Sequence, residues 1–344
     1  MNYKLFGKSG LRVSEICLGT MTFGEEWGYG ANKDESRIIF NAFLEAGGNF
    51  IDTANRYTEG TSERFLGEFV KESGRRDELV VATKYSLASK IGRINDSGNH
   101  RKNLVQTLDG SLKRLGLDYV DVLYVHAWDF TTPIEEVLRP LDDMVRSGKV
   151  LHIAISDTPA WIISRSDAIA DLRGWTAFAG VQVEYSLITR DAERDLLPMA
   201  NELGLAVTAW APLAGGALTG KYLTKSDDPK RIKEGSKRIN ERSQIIATEV
   251  VKIAEELGCS AGNVALQWVM HQKGVIIPVV GARSAAQLKD NLKCLDVKLS
   301  QEQINRLNEV SKIELGFPHE FLTQEGVKQI LFGGFIDKIE NHRK

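Results

Sequence analysis

Four side chains of different chemistry stand where apolar runs end. Phe50-Ile51-Asp52 continues into Thr53-Ala54-Asn55-Arg56-Tyr57, Val80-Val81-Ala82-Thr83 into Lys84, and Val122-Leu123-Tyr124-Val125 into His126. Short apolar runs of this kind read as buried strands. One strand ending on a polar residue is ordinary. Three that end on Asp52, Tyr57, Lys84 and His126 point to one site at one rim of a parallel sheet. A free Tyr phenol titrates at about 10 and a Lys ammonium at about 10.4. A Lys beside the phenol stabilises the phenolate and lowers the Tyr pKa toward working pH. A carboxylate beside the Lys keeps it charged and fixed, and a neutral His can donate to a substrate oxygen and orient it. The set suits reduction of a carbonyl, whose oxygen gains negative character and then needs a proton.

Other chemistries lack their residues. No GxGxxG follows a strand, and Lys221, after Leu218-Thr219-Gly220, does not complete the GxxxxGK[ST] phosphate loop. His126 has no HExxH or neighbouring carboxylate pair, so no metal is expected, and Ser156 lacks the GxSxG elbow of a hydrolase. A net charge of −2 argues against nucleic acid or an anionic membrane as the main partner. Cys17, Cys259 and Cys294 are scattered, odd in number and without CxxC spacing, which suits a reducing compartment. Met1-Asn2-Tyr3-Lys4-Leu5 is not a signal-peptide apolar region, and no uncharged run nears the roughly 18–20 residues that span a bilayer. The expectation is a cytoplasmic protein acting on a small molecule; an oligomer would leave no signature here.

The elements that must position these residues alternate along the chain. Residues 3–17 read as a hairpin around Gly7-Lys8-Ser9-Gly10, and Ile16–Thr20 as a short buried strand. Strands are expected at 50–52, 79–84, 120–126, 150–156, 180–184, 205–210 and 275–279. Helices are expected at 34–46, 62–72, 100–115, from Pro133 to Ser147, at 160–170, 191–203, 243–257, 261–271, 285–291 and 301–311. No composition break marks a second domain, so 1–344 reads as one unit with its body over about 3–320 and a tail over 321–344. Near-continuous apolar strands alternating with helices predict a covered parallel sheet, and eight repeats favour closure into an α/β (β/α)₈ TIM barrel. Active sites of such barrels lie at the C-terminal ends of the strands, where Asp52, Lys84, His126, Ser156, Gln182 and Trp210 fall.

With these residues in place, the chain resembles the aldo-keto reductases over roughly 3–320, looking most like the aryl-alcohol-dehydrogenase branch. The matching stretches are Leu18-Gly19-Thr20-Met21, Ile51-Asp52-Thr53-Ala54 with Tyr57, Thr83-Lys84, Val125-His126, Gly148-Lys149-Val150 and Gln182-Val183-Glu184-Tyr185-Ser186-Leu187. The run Pro212–Tyr222 and Val280-Gly281-Ala282-Arg283, with Gln287 and Asn291, complete it. The resemblance implies a tetrad of Asp52, Tyr57, Lys84 and His126, with Tyr57 as general acid. It also implies NADP(H) lying extended over the barrel mouth. Tyr185 would stack on the nicotinamide, and Ser156, Asp157 and Gln182 would hold its carboxamide. Gly19, Thr20, Met21 and Asp52 would line the same end. Trp210, Ala211, Pro212, Leu213, Ala214 and Gly215, with Lys221, would contact the pyrophosphate. Gly281 and Arg283 would face the 2′-phosphate, with Gln287, Asp290 and Asn291 near the adenosine. The placement of Gly281–Ser284 between a strand and a helix agrees, because amides at a helix start favour a phosphate.

Two positions depart from the pattern: Thr58 stands where many relatives have Gly, and Ser156-Asp157 where many have Ser-Asn. An ionised Asp accepts but cannot donate. Trp27, Tyr29, Trp128 and Phe321 offer an aromatic pocket wall that favours aryl or apolar carbonyls. The polar insertion at about 213–240, with glycines and seven Lys or Arg residues between Lys221 and Arg238, reads as a cofactor lid too charged to be core. Two other readings are a redox-sensing regulatory subunit of the potassium-channel β type, which keeps the dinucleotide, and a Schiff-base lyase using Lys84. The complete tetrad favours turnover over the former.

Overall fold

The protein is described by a computed structural model covering residues 1–223, 232 and 236–342. Eight parallel strands close into a barrel: β3 (Cys17–Gly19), β4 (Phe50–Asp52), β5 (Val80–Tyr85), β6 (Val120–Val125), β7 (Val150–Ser156), β8 (Gly180–Glu184), β9 (Ala206–Trp210) and β10 (Ile276–Val280). They pair in chain order, with β10 closing onto β3. An antiparallel hairpin of β1 (Tyr3–Leu5) and β2 (Arg12–Ser14) precedes them. The barrel is therefore the (β/α)₈ architecture that the alternation predicts.

Each strand alternates its side chains between two buried layers. Phe50, Val80, Ala82, Val122, Tyr124, Ala154, Ala206 and Ile277 fill the barrel interior, while Ile51, Val81, Leu123, Ile155, Val181 and Val207 pack outward against the helices. The period of two in a strand then decides which later residues point inward. Asp52 is two beyond Phe50, Lys84 two beyond Ala82, His126 two beyond Tyr124 and Ser156 two beyond Ala154. Register pairs Asp52 with Ala82, Lys84 with Tyr124 and Ser156 with Gln182, so these inward residues gather at one end. The other end is plugged: the loop and strand of the hairpin bring Phe6 and Val13 into the interior layer, with the Phe6 ring 5.6 Å from Phe50.

The helical layer holds α1 (Lys33–Glu45), α2 (Thr61–Ser73), α3 (Arg101–Leu115), α4 (Ile134–Arg146), α5 (Ala160–Arg173), α6 (Leu196–Glu202), α7 (Glu241–Leu257), α8 (Ala261–His271), α9 (Ala285–Leu292) and α10 (Gln301–Val310). Caps fix several starts: Asn32 and Ser284 accept from the third residue onward, and Asn240 and Ser300 form full capping boxes. The stretch 191–203 is not one helix. A 3₁₀ turn over Asp191–Glu193 precedes α6, whose start at Leu196 leaves Pro198 in the first turn, where its missing N–H is no loss. Beyond α10 lie two short tail helices, α11 (His319–Thr323) and α12 (Glu325–Leu331).

The segment after β9 corrects one expectation. Its first part coils into a 3₁₀ stretch, Ala214–Thr219, whose Ala214, Ala217 and Leu218 are buried, so this part belongs to the core despite its glycines. Thr224–Arg231 and Lys233–Gly235, and with them Lys225, Lys230, Arg231 and Lys233 of the expected lid, lie outside the described residues. No helix among the described residues is long and apolar enough to cross a membrane.

One buried ion pair fastens the helices next to the site. Glu63 on α2 is fully buried and accepts from Thr83 Oγ1 of β5 at 2.7 Å and from Arg114 Nε of α3 at 2.5 Å. Removing one partner of such a pair leaves an uncompensated buried charge, at a cost of roughly 3–5 kcal/mol. Arg114→Ala should therefore lower the unfolding free energy by about that amount in urea titrations. A loss below about 1 kcal/mol, the range of an exposed pair, would show that the contact does not hold α2 and α3 together.

Candidate active site

Lys84 is completely buried, and its ammonium has three partners: Asp52 Oδ2 at 2.5 Å, the Thr53 carbonyl at 3.0 Å and Tyr57 Oη at 3.0 Å. All three ammonium protons are used. Asp52 turns its other oxygen to Gln182 Nε2 at 3.1 Å, so the carboxylate is held from both sides. Burial pulls the Lys84 pKa down, but the Asp52 charge and Tyr57 outweigh it and the net direction is up. For Tyr57 the balance differs from the sequence expectation. Burial pushes the phenol up by more than Lys84 draws it down, so the net shift is upward and the group stays protonated at neutral pH.

His126 completes the group, its ring 5.8 Å from that of Tyr57 and nearly perpendicular to it at 84°. Burial, and then the Lys84 charge, hold its pKa well below the usual histidine value, so the ring is neutral. Nδ1 is buried without a hydrogen-bond partner. A proton there would be an unsatisfied donor, which assigns the proton of the neutral ring to Nε2.

The loop carrying Tyr57 is shaped by the residue that follows it. Thr58 sits at φ 46°, ψ 47°, a left-handed conformation costly for a β-branched side chain, and Glu59 follows at φ 55°. Its hydroxyl compensates by donating to the Phe23 carbonyl at 2.7 Å and accepting from Ser62 N at 3.1 Å, which caps α2. The loop keeps its bend through side-chain bonds where a glycine would have used conformational freedom.

Above the four residues opens a cavity of about 720 Å³. Asp52, Tyr57 and His126 line it, while Lys84 lies beneath them. Gly19, Met21, Ser156, Asp157, Gln182 and Trp210 continue the wall from β3, β7, β8 and β9. Ala211, Pro212, Leu213, Gly215 and Lys221 add the segment after β9, and Gly281, Arg283, Gln287, Asp290 and Asn291 the β10–α9 connection. Thr20 and Ala214 are buried behind this wall; Thr20 Oγ1 donates to the Asp52 carbonyl at 3.0 Å and backs the site. At Gly19 an added Cβ would lie 2.8 Å from Val279, so only glycine allows this approach of β3 to β10.

Tyr185 is not part of the cavity. Its ring is fully buried against Trp268, 5.4 Å away, and its hydroxyl donates to Glu193 at 2.7 Å. The aromatic face in the wall belongs to Trp210, whose Nε1 donates to Asp157 Oδ1 at 3.1 Å. Burial raises the Asp157 pKa, and the Trp210 bond opposes the rise. Trp27 stands beside Tyr57 and Tyr29, with ring centroids at 6.4 and 6.3 Å, whereas Phe321 packs at a tilt of 44° against Phe317 in the tail. Trp128 packs against the outer core layer. Trp27, Tyr29, Trp128 and Phe321 are outside the cavity lining.

Among the wall residues that the sequence reading left out are Thr22, Gly216, Thr219 and Arg238. Arg238, which had counted only as one lid cation, pairs with Glu184 at 2.6 Å and lies 5.9 Å from the Trp210 ring. A lone Arg in a charged loop carries no local sign of this.

The donor set fits a dinucleotide. Arg283, at the start of α9, offers charge for a phosphate, and Lys221 and Arg238 stand on the cavity wall near a backbone bent through Ala211, Gly215 and Gly216 at positive φ. Among the described residues no group of three or more His, Cys, Asp or Glu could hold a metal.

Comparison with known proteins agrees with this fold. Residues 15–312 match the model of the Aldo/keto reductase family, and the chain belongs to that family. Among its relatives is an aryl-alcohol dehydrogenase [NADP(+)] of Phanerodontia chrysosporium, 39% identical over 90% of this chain and 86% of that protein. Another is a norsolorinic acid reductase of Emericella nidulans, 38% identical over 91% and 82%. Norsolorinic acid reductase B of Dothistroma septosporum is 36% identical over 94% and 85%. The family and these relatives make the chain an oxidoreductase of carbonyl compounds and alcohols that uses a nicotinamide cofactor.

The neutral His126 has a consequence for stability. An unfolded histidine titrates at about 6.5, so below that pH the unfolded chain takes up a proton that the folded one refuses. Stability should thus fall as pH drops from about 7.5 to 5.5, with His152, also shifted down by burial, adding in the same direction. His126→Gln should flatten part of the decline in the urea midpoint. An unchanged slope would mean that the folded ring is protonated.

Proposed function

We propose that the protein is an NADP(H)-dependent reductase of aldehydes and ketones, that aryl carbonyl compounds are its substrate class, and that Tyr57 is its general acid. The observation that carries this reading is the Lys84 ammonium held at once by Asp52 and Tyr57, beneath a cavity that also bears Arg283 and the start of α9. When bound, reduced nicotinamide supplies the hydride to the carbonyl carbon. Tyr57 Oη gives the oxygen its proton, and Lys84, 3.0 Å away, stabilises the phenolate that remains. Asp52 keeps Lys84 charged and in place. His126 Nε2–H donates to the same oxygen and orients it.

Ser156, Asp157 and Gln182 are assigned to the carboxamide, with Asp157 able only to accept from its NH₂. Gln182 Nε2 gives one hydrogen to Asp52, and its carbonyl oxygen is assigned to accept from the same NH₂. Trp210 gives the nicotinamide a flat wall. Ala211–Gly215 with Lys221 are assigned to the pyrophosphate, Arg283 to the 2′-phosphate, and Gln287, Asp290 and Asn291 to the adenosine. The NADP(+) in one relative's name and the aryl alcohol that it acts on support the cofactor and substrate class. The ring of Trp27 beside Tyr57, with Tyr29 next to Trp27, supports the latter. A reducing, cytoplasmic setting belongs to the proposal, supported by three free thiols at Cys17, Cys259 and Cys294.

Tyr57→Phe keeps the packing ring and removes the proton donor. Turnover of an aryl aldehyde with NADPH should fall about 10²–10⁴-fold while cofactor binding survives. A variant with near-parental kcat would remove Tyr57 from its role.

Arg283→Ala should weaken NADPH and spare NADH. Loss of one charge-assisted contact costs roughly 1.5–3 kcal/mol, or about one to two orders of magnitude in Kd. Fluorescence titration with both cofactors is the check, and equal losses for the two would mean that Arg283 does not read the 2′-phosphate.

A further inference from the structure

From Lys312 to His342 no residue is buried, yet this tail is rich in large apolar side chains. Phe317 is 84% and Ile330 83% exposed, and Phe321, Leu322, Leu331, Phe332, Phe335 and Ile339 are exposed with them. Helices of five and seven residues, such as α11 and α12, do not hold together in water without packing. At about 150–250 Å² per aromatic side chain and somewhat less per Leu or Ile, the exposed fractions amount to roughly 800 Å². Monomers rarely leave an apolar patch above about 300–600 Å² open, and about 800 Å² per partner is what a standard stable interface buries.

A second apolar patch lies on the rim of the barrel mouth. Leu87, Ile91 and Ile94 follow β5, Phe130 follows β6, and Trp161 stands in the first turn of α5 after β7. Ile91 and Ile94 are 86% and 91% exposed. Mutual bonds between Asn99 and Asp129, at 2.6 and 2.7 Å, tie the first two loops into one surface.

The tail begins beside the β8–α6 connection and α7. Arg194, just beyond β8, donates to the Glu314 carbonyl at 3.0 and 3.2 Å, and Arg242 joins the Ile188 and Ser311 carbonyls. Within one chain, the apolar side chains of the tail and those of the rim both stay exposed.

We propose that a second copy of this chain covers both surfaces: in a two-fold dimer, each tail docks on the mouth rim of its partner. A two-fold axis buries both patches twice with one kind of contact and leaves none open. The tail carries no net basic charge that would favour a membrane as occupant, since five Lys or Arg residues balance five acidic ones between 312 and 344 and anionic lipid favours basic segments.

Sedimentation velocity of the full chain at micromolar concentration should give twice the 38.2 kDa chain mass. Ile330→Asp with Phe335→Asp on the tail, and separately Ile91→Asp with Ile94→Asp on the rim, should each raise the dimer Kd on the order of a hundredfold. These positions are exposed, so unchanged circular dichroism melting of the barrel serves as the folding control. An equal mixture of the two double variants should recover dimer, because it pairs one intact tail with one intact rim. A monomeric parent chain overturns the proposal, as does a monomer that sediments with anionic vesicles. A rim variant that stays dimeric while the tail variant dissociates overturns the tail-on-rim pairing.

Discussion

An ammonium wholly buried from bulk solvent is the constraint on which the site depends. Desolvating Lys84 alone would cost several kcal/mol, and attraction to a carboxylate offsets this only when geometry is good and the remaining protons are bonded. Asp52 Oδ2, the Thr53 carbonyl and Tyr57 Oη meet both conditions. The structure around them is arranged to keep them there. Gln182 holds the far oxygen of Asp52, Thr20 holds its backbone, and Thr83, the neighbour of Lys84, is fastened outward to Glu63. Tyr57 depends on the bend at Thr58, whose hydroxyl joins the loop to Phe23 and to the start of α2.

Strand parity explains why these partners meet. Inward positions recur every second residue, so one slip in register would move the tetrad into the helical layer. Because the barrel closes with β10 against β3, no strand is free to slide, and Phe6 from the hairpin seals the end away from the site. Chemistry at one rim and a packed plug at the other follow from the same closed sheet.

The same parity separates what was legible in the sequence from what was not. Apolar runs ending on Asp52, Lys84 and His126 were enough to find the barrel and to set these side chains at one of its ends, since the period of two is local. Tyr185 shows the limit. Two-residue counting from Gly180 through Gln182 to Glu184 turns Tyr185 outward, where it meets Trp268, and the same count from Ala206 turns Trp210 inward. Likeness of motif overrode a count available in the strand itself. Arg238 was beyond local reading, because its place at the wall comes from a contact with Glu184 more than fifty residues earlier in the chain. The burial of Ala214, Ala217 and Leu218 was hidden by composition, since small residues among glycines resemble a loop until α7 and α8 pack over them.

Asp157 shows how a departure from a family pattern can be absorbed locally. An ionised carboxylate in a cavity wall has no hydrogen to donate, and burial disfavours its charge. Here the Trp210 indole supplies a donor at 3.1 Å, which opposes the upward push of burial on the Asp157 pKa. The bond does a second thing: it fixes the plane of the aromatic wall. Arg238, paired with Glu184 and close to the same indole, lies on its other flank. An amide at position 157 could have accepted from the indole through its oxygen while still offering a donor to the cavity. With a carboxylate, both oxygens are acceptors, and whatever lies against this wall must bring its own hydrogen. Asp157 thereby sets the hydrogen-bond polarity of the cavity beside Asp52, Tyr57 and His126.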